Sequence, residues 1–270
     1  MFLTRNRVVA KTGPYIGITG FMSNAEVVEA LNMVPEKPTH RLMVGVLMSS
    51  KTLAGMTNKY PGRYPKKEDV SGIFVKNERA LNLIHYSTDH HDRLQNELYE
   101  ITELVGSGNF DGFQLNVRWP EATALRNYQD SHPDKFLVVQ MGGRVLAEVD
   151  GLGHLGGLIH LIYDHRACCS WLVDAVLIDP SGGKGQPFDQ NKGTKYLREV
   201  RGDHPEMGIG IAGGLCCETL GLIEPLVKEF PNLSIDAEGK LRDENDKLNL
   251  EKVRLYLKRA FQMVLGSANH

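Results

Sequence analysis

The sequence predicts a single-domain (β/α)8 barrel, and three observations lead to this prediction. Strand-like and helix-like segments alternate eight times along the 270 residues, a length that one such barrel fills. The strand-like segments are nearly continuous apolar runs, as in parallel sheets that helices cover. No G-x-G-x-x-G pattern follows the first strand, which disfavours an open doubly wound sheet, the main alternative. Because no low-complexity linker divides the chain, we expect residues 14–270 to form the barrel and residues 1–13 to be an N-terminal extension.

The composition is that of an ordinary globular protein, with 41% hydrophobic and 24% charged residues and a net charge of −2. This charge gives no reason to expect nucleic acid or a membrane as a partner. No apolar run approaches the ~20 residues of a membrane span, and the N-terminus does not resemble a signal peptide. The cysteines form two adjacent pairs, Cys168–Cys169 and Cys216–Cys217. Neighbouring cysteines seldom bridge each other, so we expect reduced thiols in a cytoplasmic protein.

Apolar runs in the first half of the chain are expected to be strands. After the first run, Ser23 and Glu26 have the spacing of a capping box, which marks the start of a helix. Residues 49–69 show no periodicity and are expected to form a long loop. Apolar residues at helical spacing over 94–105 predict a further helix. The five predicted strands are 15–20, 41–48, 80–87, 110–117 and 135–142.

The second half continues the alternation. The richly apolar residues 154–172 are expected to be helical, and a strand over 173–178 ends on Asp179. A glycine-rich loop follows, and the next strand, 208–213, ends in a second glycine pair. Residues 232–237 are the eighth predicted strand. Helices are predicted after strands seven and eight because apolar residues recur there with a period of 3.6 residues. These residues are Ile223, Leu226, Val227 and Phe230, then Val253, Tyr256, Leu257, Ala260 and Phe261.

Polar residues at strand ends are the candidates for chemistry, because the carboxyl ends of barrel strands meet at one mouth. Thr19, Gln140, Asp179 and Asp236 lie at or near such ends. Two carboxylates in one pocket push their pKa values apart, which suits acid–base catalysis. A functional role is favoured for Asp179. For Asp236, capping of the next helix or pairing with a lysine is about as well supported.

Alternation along strand four divides its side chains between two faces. Phe113, Leu115 and Val117 should pack under the helices, while Gln114 and Asn116 should point into the barrel. For Gln114 we favour a structural hydrogen-bonding role. For Asn116 a structural role and a place in a ligand site are equally supported.

The segment HYSTDHHD, residues 85–92, is rich in metal-ligand side chains. Its spacing matches no helical zinc motif, so we predict no metal site and expect a solvated loop at a helix start. His85 is a reserve candidate for a general base.

Six segments in chain order resemble the phosphoribosylanthranilate isomerase family. LIDPSGGKGQPFD and IAGGL are the most specific of them, because they match that family's L-L-D…G-G-T-G…F-D-W and L-A-G-G-L runs. The others are GITGFMSNAEVVEAL, GRYPKKEDV, FQLN and the segment from Ser234 to Leu257.

The resemblance implies a (β/α)8 barrel that performs an Amadori rearrangement of a ribosyl phosphate without a cofactor. It implies that Asp179 is the general acid and that Arg63 binds the substrate. Asp236 matches that family's aspartate at the start of the strand-eight motif. The same comparison, together with the strand ends, gives a substrate set of Arg63, Asn116, Gln114, Gln140, Gly183 and Gly185 and a phosphate set of Gly213, Gly214 and Gly239.

Several residues depart from that family's pattern. Thr19 replaces the cysteine base, and a neutral hydroxyl is far too weak a base near pH 7. Glu238 precedes Gly239 where the family has serine, and its carboxylate would repel a phosphate. Asn116 replaces a histidine.

Three hypotheses therefore remain. The first is the same isomerisation of a small, phosphorylated sugar, with His85 or Asp236 as the base. The second is changed chemistry on the same barrel, such as a lyase or hydrolase reaction on a small polar substrate. The third is non-catalytic ligand binding.

Overall fold

A computed structural model of the chain describes residues 13–152, 155, 163–164, 170–181 and 188–267. Eight parallel strands form a closed barrel, which confirms the predicted fold class. Their order around the barrel is β1, β10, β9, β8, β5, β4, β3, β2. These strands are β1 (Tyr15–Thr19), β2 (Arg41–Ser49), β3 (Ala80–Ser87), β4 (Gly112–Leu115), β5 (Phe136–Met141), β8 (Ala175–Ile178), β9 (Gly208–Ala212) and β10 (Ser234–Ala237).

Helices connect the strands around the barrel. They are α1 (Asn24–Leu31), α2 (Ser50–Leu53), α3 (Val70–Ile73), α4 (Leu94–Val105), α5 (Ala122–Ser131), α6 (Gly143–Leu152), α7 (Gln190–Asp203), α8 (Glu224–Glu229) and α9 (Leu250–Ser267). The capping box predicted before α1 is confirmed: the Ser23 side chain accepts the backbone N–H of Glu26, and the Glu26 carboxylate accepts that of Ser23. No helix among the residues described here is long and apolar enough to cross a membrane.

Side-chain alternation separates two apolar cores. The larger core lies between the strands and the helices and includes Phe113 and Leu115 of β4. Gln114, between them, is fully buried on the opposite face of the strand. The predicted division of β4 into an apolar outer face and a polar inner face is therefore confirmed over these three residues. A smaller apolar cluster fills the barrel interior: Tyr15, Met43, Leu81, Leu83, Phe136, Val138, Ala175, Leu177 and Ala212.

The segment 154–172 is not one continuous helix, so that prediction is wrong. Helix α6 covers Gly143–Leu152, and a two-stranded antiparallel pair follows, β6 (Tyr163–Asp164) with β7 (Ser170–Trp171). The reason is that the helix-like spacing of apolar residues extends only to Ile162, after which the polar residues Asp164, His165 and Arg166 interrupt it. The other residues of this segment, Leu155 and Leu172 excepted, lie outside the described part.

Two further expectations concern loops and boundaries. Within the predicted loop 49–69, α2 and a short 3-10 helix at Lys67–Asp69 are present.

The proposed division between an extension, 1–13, and the barrel, 14–270, stays a prediction. The first strand begins at Tyr15, and residues 1–12 lie outside the described part.

Replacement of Gly112 is expected to open the sheet between β4 and β5. A Cβ atom on Gly112 would lie 1.9 Å from the carbonyl oxygen of Phe136 and 2.6 Å from its nitrogen. Because backbone cannot rotate away as a side chain does, Gly112→Ala should lower the free energy of unfolding by at least about 3 kcal/mol. Urea unfolding measures this. The control is Gly72→Ala, since a Cβ on Gly72 meets nothing within 4 Å and alanine favours a helix. Equal stabilities of the two variants would contradict the close approach.

Candidate active site

A layer of buried polar side chains covers the apolar cluster at the carboxyl ends of the strands. We call it the polar layer: Thr19, His85, Gln114, Gln140, Asp179 and Asp236, none more than 8% exposed. Each comes from a different strand or from the residue that follows it. The strand-end prediction therefore placed Thr19, Gln140, Asp179 and Asp236 correctly at one end of the barrel, which we call the mouth. Gln114 and His85 belong to the same layer. Their roles are a separate question.

Asp236 is held at the centre of one group. The Thr19 hydroxyl donates to its carboxylate, with Oγ1 lying 3.1 Å from Oδ1 and 3.0 Å from Oδ2. The Gln114 amide donates from Nε2 to Oδ2 over 2.9 Å. Glycines make the room: a Cβ on Gly17 would lie 2.7 Å from Asp236 Oδ1, and one on Gly45 would lie 2.6 Å from Thr19 Oγ1. The neighbouring strands thus bring no side chain of their own to these two positions.

Burial raises the pKa of Asp236 to about 7. Hydrogen bonds from Gln114 and Thr19 oppose this rise, and the negative charges of Glu238 and Asp179 add to it. A carboxyl group with a pKa near neutrality can give or take a proton at physiological pH, which is what acid–base catalysis requires. Thr19 serves here as a hydrogen-bond donor to that carboxylate.

His85 completes this group, because Gln114 Nε2 also lies 3.0 Å from its Nδ1. Burial lowers the pKa of His85, so the ring is neutral near pH 7. An ionised Asp236 needs a donor from the amide, which fixes Gln114 Nε2 between the two groups. Nδ1 of His85 then accepts the second amide hydrogen, and the ring proton lies on Nε2. With its free lone pair occupied in this way, His85 is a weaker candidate for the base than Asp236.

Asp179 forms a second group beside the first. It accepts Gln140 Nε2 at Oδ2 over 3.1 Å, and at Oδ1 it accepts the Ser181 N–H over 3.1 Å and the Ser181 hydroxyl over 2.7 Å. Gly213 packs directly against it: a Cβ there would lie 2.9 Å from Asp179 Oδ1, and its φ is +111°. Sequence reasoning missed Ser181, although an aspartate two residues before a serine in a turn is a recognisable signal for this contact.

Arg63 is anchored by two acids rather than left open. Its Nη1 donates to Glu238 Oε1 over 2.7 Å, while Nε and Nη2 both bind the Asp246 carboxylate, at 2.8 and 2.6 Å to Oδ1. The Tyr60 ring stacks on the guanidinium, 4.8 Å from centroid to Cζ. A Cβ on Gly239 would lie 4.0 Å from Nη1, so Arg63 does reach the predicted phosphate turn.

Arg242 links the ends of the chain's first and last barrel strands, and sequence reasoning missed it. Its Nη2 donates to the carbonyl oxygens of Thr19 and Gly20, over 3.3 and 3.0 Å, and its Nη1 donates to that of Asp246 over 3.1 Å. Gly20 has a φ of +102°, and a Cβ there would lie 1.7 Å from Arg242 Nη2. A glycine is therefore required where this guanidinium crosses β1.

The other predicted site residues differ in their surroundings. Asn116 is exposed at the end of β4, and its N–H donates to the Tyr86 carbonyl. Gly214 has a φ of +62°, and its carbonyl accepts the Thr219 hydroxyl over 2.9 Å. Gly183 and Gly185 lie outside the described residues, as do Cys168 and Cys169. Cys216 and Cys217 are free, half-buried thiols.

The described residues contain no group of three or more histidine, cysteine, aspartate or glutamate side chains placed to hold a metal ion. In the histidine-rich segment, β3 continues past the buried His85 to Ser87, residues 88–90 form a short connection, and a 3-10 helix, His91–Arg93, precedes α4. This arrangement agrees with the predicted loop and helix start.

Comparisons with solved structures find barrels of the same fold. Phosphoribosyl anthranilate isomerase from Thermus thermophilus is 12% identical, with a TM-score of 0.59 over 91% of this chain and 98% of that one. Tryptophan synthase subunit alpha from Legionella pneumophila is 10% identical, with a TM-score of 0.58 over 94% and 93%. A chitinase catalytic domain from Pyrococcus furiosus is 10% identical, with a TM-score of 0.54 over 95% and 98%.

These similarities establish the fold and leave the reaction open, because the three enzymes catalyse different reactions on one architecture. No protein-family model matches the sequence. No curated protein matches it either.

Replacing Asp236 should change how stability depends on pH. Below pH ~4 the group is protonated in both the folded and the unfolded chain. Between its ordinary pKa of 3.8 and its folded pKa of about 7, only the unfolded chain ionises readily, so the stability contributed by Asp236 is lost as pH rises. Relative to the wild type, Asp236→Asn should therefore gain stability between pH 4 and pH 8, by at most about 4 kcal/mol.

Urea unfolding at several pH values measures this difference. Glu244→Gln is the control, because it removes an exposed carboxyl group from the segment that follows β10. Parallel curves for the wild type and Asp236→Asn would show that the carboxyl group titrates normally.

Proposed function

We propose that this chain is a barrel enzyme of the isomerase type that moves protons on a small hydroxylated substrate of the sugar class. The observation that supports this most is the pair of buried carboxyl groups, Asp179 and Asp236, in separate hydrogen-bonded groups of one polar layer. Their charges interact, since Asp179 contributes to the raised pKa of Asp236. A general acid and a general base at one site need different environments, because one must hold a proton while the other must accept one.

The two carboxyl groups would divide the work of an aldose–ketose rearrangement. Asp179, the general acid that the family resemblance implies, would give a proton to the ring oxygen of the sugar as the C1–O bond breaks and the ring opens. A lone pair of the exocyclic nitrogen or oxygen on C1 then forms a C1=N or C1=O double bond, and an exocyclic hydroxyl loses its proton to solvent. Asp236, ionised, takes the proton from C2. The electron pair of that C–H bond forms the C1=C2 double bond, while the C1=N or C1=O π pair moves onto the nitrogen or oxygen. The resulting enol or enamine tautomerises to the ketose, and proton exchange with solvent restores both acids.

The other residues of the polar layer position these groups. Thr19 and Gln114 hold the Asp236 carboxylate, while Gln140 and Ser181 hold that of Asp179. His85, with its proton on Nε2, would donate a hydrogen bond to a substrate oxygen as negative charge develops there. The proposed steps use no cofactor.

The resemblance to phosphoribosylanthranilate isomerase makes a ribosyl phosphate the finer candidate substrate. Backbone N–H groups around Gly213, Gly214 and Gly239 would then bind its phosphate, with Arg63 and Asn116 as further contacts. A second candidate is a changed reaction on an unphosphorylated polar substrate. The Glu238 carboxylate on Arg63, at the place where the phosphate would bind, favours this candidate.

Proton abstraction can be tested without knowing the product. The protein is incubated in D2O with phosphoribosylanthranilate and with unphosphorylated pentoses, hexoses and amino sugars, and loss of the C2–H signal is followed by NMR. Asp179→Asn and Asp236→Asn should each slow exchange by roughly 10²- to 10⁴-fold, because each removes one proton-transfer group.

The exposed variant Glu244→Gln should exchange at the wild-type rate. If no substrate of the panel exchanges, or if both aspartate variants exchange as fast as the wild type, the barrel is not a proton-transfer enzyme of this class. Formation of the ketose from phosphoribosylanthranilate would establish the finer candidate.

A further inference from the structure

We infer that Glu238 determines substrate specificity, as an anion built into the mouth that occupies Arg63, turns away phosphorylated substrates and favours sugars with only hydroxyl or amino groups. This inference deepens the proposed function by naming the substrate class. It rests on the proposed function in treating these compounds as substrates. Its physical claim is about which ions bind at the mouth.

The hydrogen bonds of Arg63 are the first support. All three of its side-chain nitrogens already donate to carboxylates, Nη1 to Glu238 and the other two to Asp246. These contacts use three of the five N–H groups of the guanidinium, so a phosphate entering this corner must share its charge with the two acids or displace one of them. Glu238 is the partner held through a single nitrogen, while Asp246 is held through two and has the geometry of a bidentate pair. Competition for Arg63 is thus between the phosphate and Glu238.

The position of Glu238 is the second support. It lies two residues beyond Asp236, just past the end of β10, so it continues the inward-facing line of that strand. Its charge reaches across the mouth, because it contributes to the pKa shifts of His85 on β3, of Tyr64 and of Asp236. A dianion bound near Arg63 would be close to this carboxylate, and like charges at that range repel.

The remaining surface of Glu238 is the third support. Its side chain is 31% exposed, and within the described ranges only Oε1 has a hydrogen-bond partner. Oε2 can therefore accept a hydrogen bond from a substrate. A sugar hydroxyl or an ammonium group donates such a bond, while a fully ionised phosphate has no proton to give. The same residue excludes one substrate class and offers a contact to the other.

Inorganic phosphate is the probe for this inference, and calorimetric titration of the purified full chain is the measurement. Glu238→Gln keeps the size of the side chain and removes its charge, so the dissociation constant for phosphate should fall at least ~10-fold relative to the wild type. The double variant Arg63→Gln/Glu238→Gln should lose that gain. Glu244→Gln, an exposed acid in the same segment, should bind phosphate as the wild type does.

Three results would overturn the inference: a wild-type chain that binds phosphate as tightly as Glu238→Gln, a gain that survives the loss of Arg63, or an equal gain in Glu244→Gln. Thermal unfolding checks that each variant is folded. If Glu238→Gln fails to fold, Glu238→Asp serves instead, because the shorter side chain withdraws the carboxylate from Nη1 and should raise phosphate affinity in an Arg63-dependent way. Since these titrations need no turnover, their outcome is independent of the deuterium-exchange experiment.

Discussion

A buried carboxyl group at the top of a packed barrel is the constraint around which this site is arranged. Asp236 is 5% exposed and can exchange few hydrogen bonds with water, so protein donors must replace them. Thr19 and Gln114 are those donors, and two glycines, Gly17 and Gly45, leave the space for the contact. The apolar cluster beneath prevents water from entering from below. Burial and hydrogen bonding oppose each other here, and the pKa near 7 is their balance.

Charge at the mouth is balanced by pairing rather than by an excess of cations. Arg63 faces Glu238 and Asp246, and Arg242 binds backbone carbonyl oxygens. A barrel that binds phosphorylated ligands gains from unpaired positive charge at this place, because the ligand supplies the negative partner. In this chain the protein supplies that partner itself. The residues that resemble an isomerase and those that depart from it therefore meet in one ion-pair network.

Local signals in the sequence predicted the fold well, whereas contacts between residues far apart in the chain could not be predicted from it. The apolar runs gave the eight barrel strands, and alternation placed Gln114 inside, because these patterns depend on near neighbours only. The helix predicted over 154–172 is wrong because the helical spacing ends at Ile162 and polar residues interrupt the rest of the segment. The pairing of Arg63 with Glu238 joins residues 175 positions apart. The sequence alone suggests a substrate-binding role for Arg63 and, separately, repulsion of phosphate by Glu238. No rule of sequence spacing predicts that the two side chains pair.

The seam between the first and last barrel strands has a consequence for how the chain acquires its shape. Ile16 pairs with Ile235, and Arg242 reaches back across Gly20, so β1 keeps one unpaired edge until β10 has been synthesised. Closing so long a loop is slow, because contacts between distant segments form only after the chain entropy has been overcome. Ring closure is thus a late event on the ribosome, and the buried carboxyl group on β10 arrives with the segment that completes it.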